Sequence, residues 1–400
     1  MSLSPFPKQY LRIGQALPFA LRDGGGRQLL AADVRLDDPQ TLAGLQSTEL
    51  FADDSESHDW RRRLASAVDA ALRQKAALQL AGNTQGPSGQ IRSAGSGKGL
   101  GEQWADLATV LDITLRDLGA DTPWMSRLTA VHARASRLAE QRLDASLYHL
   151  VYSAGKGTER YSSHHGLLCL LVAIETAGKL AWDAGLVNSL SMAALTMNVS
   201  MRRLQDQLSS IDEPVSPASR AMIADHAERS ASMLQAAGVA DPVWIETVRL
   251  HHDDSLKASP LAELTPPQQA ARLLRRVDIF TAKLSRRAAR GPMSPVQAAR
   301  EACLGPSGTP DEIGGALLKS VGLYPPGSFV ELVNGEICIV VARGPVANLP
   351  VVAVVIDADG AHGGNATERD TNDRRFAVKS AVGASKVRVT PPHAVLMARH

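Results

Sequence analysis

Histidine, the side chain most often used to bind transition metals, is concentrated in one stretch of this sequence. Five of the eleven histidines fall between positions 164 and 252, more than an even distribution would place there. These five residues are His164, His165, His226, His251 and His252. Imidazoles from separate helices can meet in the core of a bundle and hold an ion there. The pattern indicates a metal site, although any one histidine could instead hydrogen-bond a neighbouring helix or face solvent.

The adjacent pair His251-His252 restricts where such a site can lie. Successive side chains of an α-helix point about 100° apart, so two neighbours within a helix face different directions. Only at a helix end can both imidazoles reach one ion. We therefore expect a helix to end at this pair.

The segments that must position these histidines have helical spacing and are separated by short Gly, Pro or Asp-Pro breaks. No regular alternation of strands and helices is present, which argues against a doubly wound α/β sheet. The predicted fold class is mainly α. The predicted helices are Trp104–Leu118, Pro123–Leu150, His164–Trp182, Leu186–Met197, Ala218–Ala237, Trp244–His252, Pro266–Arg290 and Pro295–Cys303.

Shorter segments of different character flank the helices. A loose turn at Asp23–Gly26 predicts a β-hairpin near the start, and Asn334-Gly335 between two alternating apolar runs predicts another near the end. The predicted organisation is a small β-containing module (1–58), a connecting helix (59–81), a flexible Gly/Ser linker (82–101), an all-helical domain (102–322), a β-hairpin or meander (323–358) and an irregular tail (359–400).

Five sequence blocks resemble the HD-GYP branch of the HD phosphohydrolase superfamily. They are RYSSHHGLLCL, MAALTMNVSM, IADHAERSASML, VRLHHDD and RRVDIFTAKLSRRAAR, in that order. VGLYPPGSFVELVNGEICIVV is similar to the β extension of many such domains, so the resemblance runs from about Tyr161 to Val341. The opening LRIGQALPFALRDGGGRQLLAADV also looks like a small module found ahead of some HD-GYP domains of Gram-negative bacteria.

The resemblance implies an HD-type helical bundle that hydrolyses cyclic di-GMP at a site with two or three metal ions. In such a site, metal ions lower the pKa of a bound water and orient the phosphate. The positions that match the family's ligands are His165, His226, His251, His252 and Asp278. Arg287 and Arg290 match its phosphate-contacting residues and are expected one turn apart on the helix that carries Asp278.

Two departures from the family pattern bear on activity. Met197 and Asn198 stand where the family has its His-Asp dyad, and a thioether and a neutral amide cannot replace an imidazole and a bridging carboxylate. The Gly-Tyr-Pro loop expected after His252 is also absent, which leaves Asp253 and Asp254. We therefore expect one transition-metal ion (Fe, Mn, Ni or Zn) or none, and little or no phosphodiesterase activity.

Composition excludes several other classes of protein. The net charge is +2 and aromatic residues make up 4%, which argues against a nucleic-acid-binding protein. Cys169, Cys303 and Cys338 lie too far apart for a disulfide framework or a zinc ribbon, and Cys169 is expected in the apolar core. No apolar run reaches the roughly 18 residues of a membrane span. The start does not resemble a signal peptide, so we expect a cytoplasmic protein.

Three functions are compatible with the sequence. The first is a regulatory protein of bacterial cyclic di-GMP-type signalling, in which a degenerate domain binds a cyclic dinucleotide or a signalling protein partner. The second is an active metal-dependent phosphodiesterase in which Asn198 coordinates through its amide oxygen. The third is a scaffold for protein interactions. The sequence does not fix the oligomeric state, and a homodimer is compatible with each of the three functions.

Overall fold

A computed structural model of the chain describes most of its residues. The described ranges are 3–6, 11, 15–53, 98–119, 121–157, 159–257, 259–288, 291–305, 308–361 and 367–399. The predicted connecting helix (59–81) and most of the predicted linker (82–101) lie outside them. The chain divides into two compact units, Met1–Ile91 and Arg92–His400.

The first unit contains short strands and one helix. They are β1 (Leu3–Pro5), β2 (Gln15–Ala16), β3 (Leu21–Arg22), β4 (Gln28–Leu30), β5 (Arg35–Leu36), α1 (Pro39–Ser47) and β6 (Phe51–Asp53). Four of them form a sheet in the order β1-β6-β3-β4, while β2 pairs with β5. The predicted hairpin is present, because β3 pairs antiparallel with β4 and Gly26 closes the turn at a φ of 84°. Its apolar core includes Phe19, Leu21 and Leu50.

The second unit is a helical bundle, which confirms the predicted mainly α fold class. Its helices are α2 (Leu100–Arg116), α3 (Trp124–Gln141), α4 (Leu143–Lys156), α5 (Tyr161–Lys179), α6 (Ala184–Thr196), α7 (Arg202–Ser210), α8 (Pro217–Ala224), α9 (His226–Ala236), α10 (Pro242–Leu250), α11 (Pro266–Leu284), α12 (Pro295–Cys303) and α13 (Glu312–Val321). In the part of the chain described, no helix has both the length and the apolar character needed to cross a bilayer.

Helix α5 is the centre of this bundle. It packs against α4, α6, α11 and α13, and the run Leu167–Ala173 is buried on every side. A helix enclosed in this way must be apolar around its whole circumference rather than along one stripe. The same enclosure buries the polar residues at its start, including His165.

Helix α11 ends earlier than the sequence predicts. Ser285 is extended, and the hydroxyl of Ser285 donates to the carbonyl of Thr281. The next backbone groups bond to other helices, because the amide of Arg286 donates to the carbonyl of Ala154. The prediction that Arg287 lies on the helix carrying Asp278 is therefore wrong. Tertiary hydrogen bonds replace those that a longer helix would have made.

A five-stranded antiparallel sheet follows the helices. Its strands are β7 (Phe329–Leu332), β8 (Ile337–Ala342), β9 (Val351–Ile356), β10 (Glu368–Asp370) and β11 (Val378–Val382), in the order β10-β9-β8-β7-β11. The hairpin predicted at Asn334-Gly335 joins β7 to β8. The prediction of an irregular tail (359–400) is wrong. The tail supplies both edge strands and α14 (His393–Arg399), because backbone pairing with β7 and β9 orders segments that are too short and polar to be recognised alone.

Candidate metal centre

The five predicted ligands lie on or next to four packed helices. His165 lies near the start of α5, His226 is the first residue of α9, and Asp278 is in the second half of α11. His251 and His252 directly follow α10, which ends at Leu250. The expectation that a helix ends at this pair is confirmed.

Hydrogen bonds between helices hold these positions. The backbone of Arg160 is left-handed and gives α5 no side-chain cap, so Asp206 of α7 accepts from the amide of Ser162 instead, at 2.8 Å. The indole of Trp244 donates to the hydroxyl of Thr196 at 2.8 Å, which ties α10 to α6. The first bond holds α5, which carries His165, and the second holds α10, which His251 and His252 follow.

Three imidazoles form the first half of the centre, here called the trihistidine group (His226, His251 and His252). One ring nitrogen from each lies within 4.8 Å of the others. The Nδ1 atoms of His226 and His251 lie 2.6 Å from the carbonyls of Ile223 and Val248. A carbonyl only accepts hydrogen bonds, so each Nδ1 carries the proton and each neutral ring has a bare Nε2.

The two bare nitrogens point at one another. His226 Nε2 and His251 Nε2 are 3.2 Å apart in a buried position, although neither can donate to the other when both rings are neutral. Two nitrogens bound to one ion at about 2.0–2.1 Å in tetrahedral geometry are separated by about 3.3 Å. The spacing of the two nitrogens thus fits a shared metal ion.

Burial keeps these rings neutral. It lowers the pKa of His251 to about 3, with the neighbouring His252 and His226 acting in the same direction. Burial also lowers the pKa of His226 and of His252, which is the most exposed of the three. Neutral imidazole is the form that binds metal, so the trihistidine group is ready to coordinate near neutral pH.

The second half of the centre consists of His165, Cys169 and Asp278, and we call it the thiol group. Nε2 of His165 lies 2.8 Å from a carboxylate oxygen of Asp278 and 3.5 Å from the sulfur of Cys169. The other carboxylate oxygen of Asp278 is 4.0 Å from Nε2 of His252. Asp278 therefore connects the two halves.

In the thiol group, His165 and Asp278 favour their charged forms, whereas the imidazoles of the trihistidine group are neutral. Burial acts to lower the pKa of His165, but Cys169, Tyr161 and the bond to Asp278 outweigh it and raise that pKa well above its ordinary value. Burial likewise acts to raise the pKa of Asp278, but the hydrogen bond and charge of His165 bring it well below its usual range. Without a metal, the two form an imidazolium–carboxylate ion pair.

Three residues near this pair were not predicted as part of a site. The sulfur of Cys169 lies 3.1 Å from the hydroxyl of Thr281, and the ring of Tyr161 stacks on His165 at 5.6 Å. Helical spacing could have identified all three, since Tyr161 and Cys169 are four residues from His165, and Thr281 is three residues from Asp278. The prediction that Cys169 lies in the core is confirmed, since its side chain is buried, but the composition of α5 did not reveal its polar neighbours.

The remaining predicted positions have different surroundings. Met197 and Asn198 are buried where α6 ends, and the hydroxyl of nearby Ser200 donates to the carbonyl of His226 at 3.0 Å. The side chains of Met197 and Asn198 are both uncharged, so they add no charge to this edge of the centre. Arg287 donates to the hydroxyl of Tyr161 at 3.1 Å, so it lies one side chain away from His165. Arg290 lies outside the described residues.

Comparison with known proteins gives little further guidance. No family model and no curated protein matches the chain. One solved structure, Bd1817, described as an HDG"Y"P protein from Bdellovibrio bacteriovorus, aligns with 79% of this chain and 98% of its own. The TM-score is 0.49 and the sequence identity is 14%.

Proposed function

We propose that the helical unit is a degenerate HD-GYP-like domain that binds a transition-metal ion through the trihistidine group. The observation that carries this proposal is the pair of bare Nε2 atoms, 3.2 Å apart, on His226 and His251. Three imidazoles suit iron, nickel or zinc better than magnesium or calcium, which prefer oxygen ligands. Bound there, such an ion would act as a Lewis acid toward a phosphate oxygen.

We further propose that phosphodiesterase activity is impaired. A binuclear centre needs an anionic group that holds two ions close together and offsets their charge, and the amide of Asn198 carries no charge. Asp278 is the one carboxylate in either metal-ligating group found among the described residues. It belongs to the group with His165, so the trihistidine group is left with three neutral ligands and no second carboxylate to bridge two ions.

The proposed role is in signalling through cyclic di-GMP, with the domain acting by binding. Arg287 supports a phosphate ligand, because it places a planar cation next to Tyr161 and therefore close to His165. Together with Arg290, it would contact the phosphates of the cyclic dinucleotide. A protein partner would then respond to the loaded state.

Calorimetric titration with Ni²⁺ tests the metal site. We expect the wild type to bind an equivalent that the variant His251→Ala loses or binds at least about 100-fold more weakly, since a ligand matters more than an outer-shell residue, worth about 10–100-fold. His149→Ala is the matched control, because this histidine is also largely buried but lies outside both groups. Equal binding by wild type and His251→Ala would contradict the proposal.

A hydrolysis assay tests the impairment separately. With cyclic di-GMP and Mn²⁺, Fe²⁺ or Ni²⁺, we expect turnover far below the roughly 1 per second at the low end of ordinary enzymes. Ordinary turnover would contradict the proposed impairment and show an active phosphodiesterase, but it would not contradict the proposed metal site. Binding of cyclic di-GMP that Arg287→Ala does not weaken would contradict the phosphate assignment.

A further inference from the structure

The cysteine beside His165 gives the centre a feature that the HD-GYP resemblance does not supply. We propose that Cys169 is a metal ligand that forms, with His165 and Asp278, a second site for a thiophilic ion such as Zn²⁺. This inference rests on the proposed metal-binding function and extends it. The two sites would lie side by side, one with imidazole ligands alone and one with a thiolate, an imidazole and a carboxylate.

The geometry of the donor atoms supports this site. One ligand atom from each of His165, Cys169 and Asp278 lies within 4.8 Å of the other two. In a tetrahedral zinc site with Zn–S near 2.3 Å and Zn–N near 2.0–2.1 Å, sulfur and nitrogen are about 3.6 Å apart. The observed Sγ to Nε2 distance is 3.5 Å. The sulfur and the imidazole therefore need little rearrangement to share an ion.

The charges of the donors also fit a divalent ion. When Cys169 is a thiolate and His165 is neutral, the thiolate and the carboxylate of Asp278 together offset the two positive charges of zinc. A buried site needs such neutralisation, because an uncompensated charge in the interior is costly. The proton on Cys169 and the second proton on His165 would leave when the ion binds, as metal binding generally requires of these ligands.

Neighbouring side chains fix the orientation of the ligands. The hydroxyl of Thr281 donates to the carbonyl of Val277 at 2.8 Å and lies 3.1 Å from the sulfur of Cys169. Tyr161 stacks nearly parallel to the ring of His165, with an angle of 12° between their planes. Contacts of this kind hold ligands in place around metal sites.

The other two cysteines provide an internal contrast. Burial raises the pKa of Cys303 and of Cys338 to about 12, so both remain thiols. Neither belongs to a group of three or more potential metal ligands in the described part of the chain. They are therefore suitable control positions for cysteine substitution.

Cobalt(II) is the probe that distinguishes the two sites. Thiolate-bound Co²⁺ has a sulfur-to-metal charge-transfer absorption in the near ultraviolet, whereas imidazole-bound Co²⁺ shows only weak visible bands. We expect wild-type protein to show the charge-transfer absorption. Cys169→Ser should abolish it and lose one equivalent of Co²⁺, while the visible bands of the trihistidine group remain. The double variant Cys303→Ser, Cys338→Ser should keep the charge-transfer absorption, since Cys169 is then its only source.

The outcomes separate this inference from the function on which it rests. Visible bands without charge transfer in the wild type would overturn the thiolate ligand and leave the trihistidine site standing. Charge transfer that persists in Cys169→Ser would also overturn it. If Cys169→Ser does not fold, the double variant still decides, because a folded double variant without charge-transfer absorption rules out Cys169 as a ligand.

Discussion

The two halves of the candidate centre contain the same residue type in opposite protonation states. In the trihistidine group, backbone carbonyls accept hydrogen bonds from the Nδ1–H groups of His226 and His251, and burial keeps the rings neutral. In the thiol group, a carboxylate 2.8 Å from His165 favours a second proton on that ring. The hydrogen-bond acceptor, and not burial alone, therefore decides the charge of a buried histidine.

This difference makes the halves sensitive to different changes. The ion pair of His165 and Asp278 depends on keeping both charges, because one charge left alone in the interior is unfavourable. The trihistidine group depends on the absence of charge. The experiments below act on one half at a time, in chelator-treated protein, so that bound metal does not mask the effect.

Replacing the carboxylate should have the largest effect. Asp278→Asn removes the negative partner of His165, and breaking a buried ion pair costs about 3–5 kcal/mol. We expect the lower part of that range, since the side chain of Asp278 is 17% exposed. Urea unfolding at neutral pH measures the loss. Glu228→Gln is the matched control, because the carboxylate that pairs with Arg249 is 62% exposed, and its loss should change stability by less than about 1 kcal/mol.

Acidification should destabilise the trihistidine group. The unfolded chain protonates His251 below its ordinary pKa of 6.5, whereas the folded protein does so only near 3. The unfolded state thus binds more protons in this window, and stability falls as the pH falls, by about 1.4 kcal/mol per pH unit for each such histidine. Lowering the pH from 6.5 to 5 should therefore cost about 1.6 kcal/mol for His251 alone, because the unfolded ring is already half protonated at pH 6.5.

A substitution isolates this contribution from that of other histidines. His149 and His164 also have a pKa lowered to about 4 by burial, so they add to the total slope. His251→Gln should reduce the slope of unfolding free energy against pH by about one proton. His165 contributes with the opposite sign, because its raised pKa keeps it protonated in the folded protein while the unfolded chain still takes up a proton as the pH falls through 6.5. An unchanged slope in His251→Gln would show that this ring is already charged in the folded protein.

Local sequence rules predicted most of the helical segments, although Pro123–Leu150 and Ala218–Ala237 each form two helices instead of one. The neighbours His251 and His252 required a helix end, and α10 ends directly before them. This inference held because it depended only on helix geometry. The long apolar segment that became α5 was recognisable for the same reason, since burial on all sides leaves a clear trace in composition.

Interactions between distant segments were not predictable from local patterns. The amide of Arg286 donates to the carbonyl of Ala154, and the amide of Ala288 donates to the carbonyl of Ser209. These bonds to other helices lead the chain away from α11 on both sides of Arg287. Strand β11 likewise forms by pairing with β7, although Val378–Val382 is too short to stand out. The contact of Cys169 with Thr281 also joins two helices, so composition correctly placed the cysteine in the core but could not reveal this contact.

The smallest expected effect comes from a hydroxyl that touches both His165 and Cys169. The hydroxyl of Thr281 is 3.4 Å from Nδ1 of His165, so Thr281→Val leaves one N–H of the charged ring without an acceptor. That distance is long for a hydrogen bond, and we expect a loss of about 1 kcal/mol. Thr247→Val is a close control, because Thr247 is fully buried and its hydroxyl has no hydrogen-bond partner among the residues that the structure describes. Removing an unpaired hydroxyl should be neutral or stabilising, so denaturant unfolding should show a loss of stability for Thr281→Val and no loss for Thr247→Val. Equal effects would mean that the charge of His165 depends on Asp278 alone.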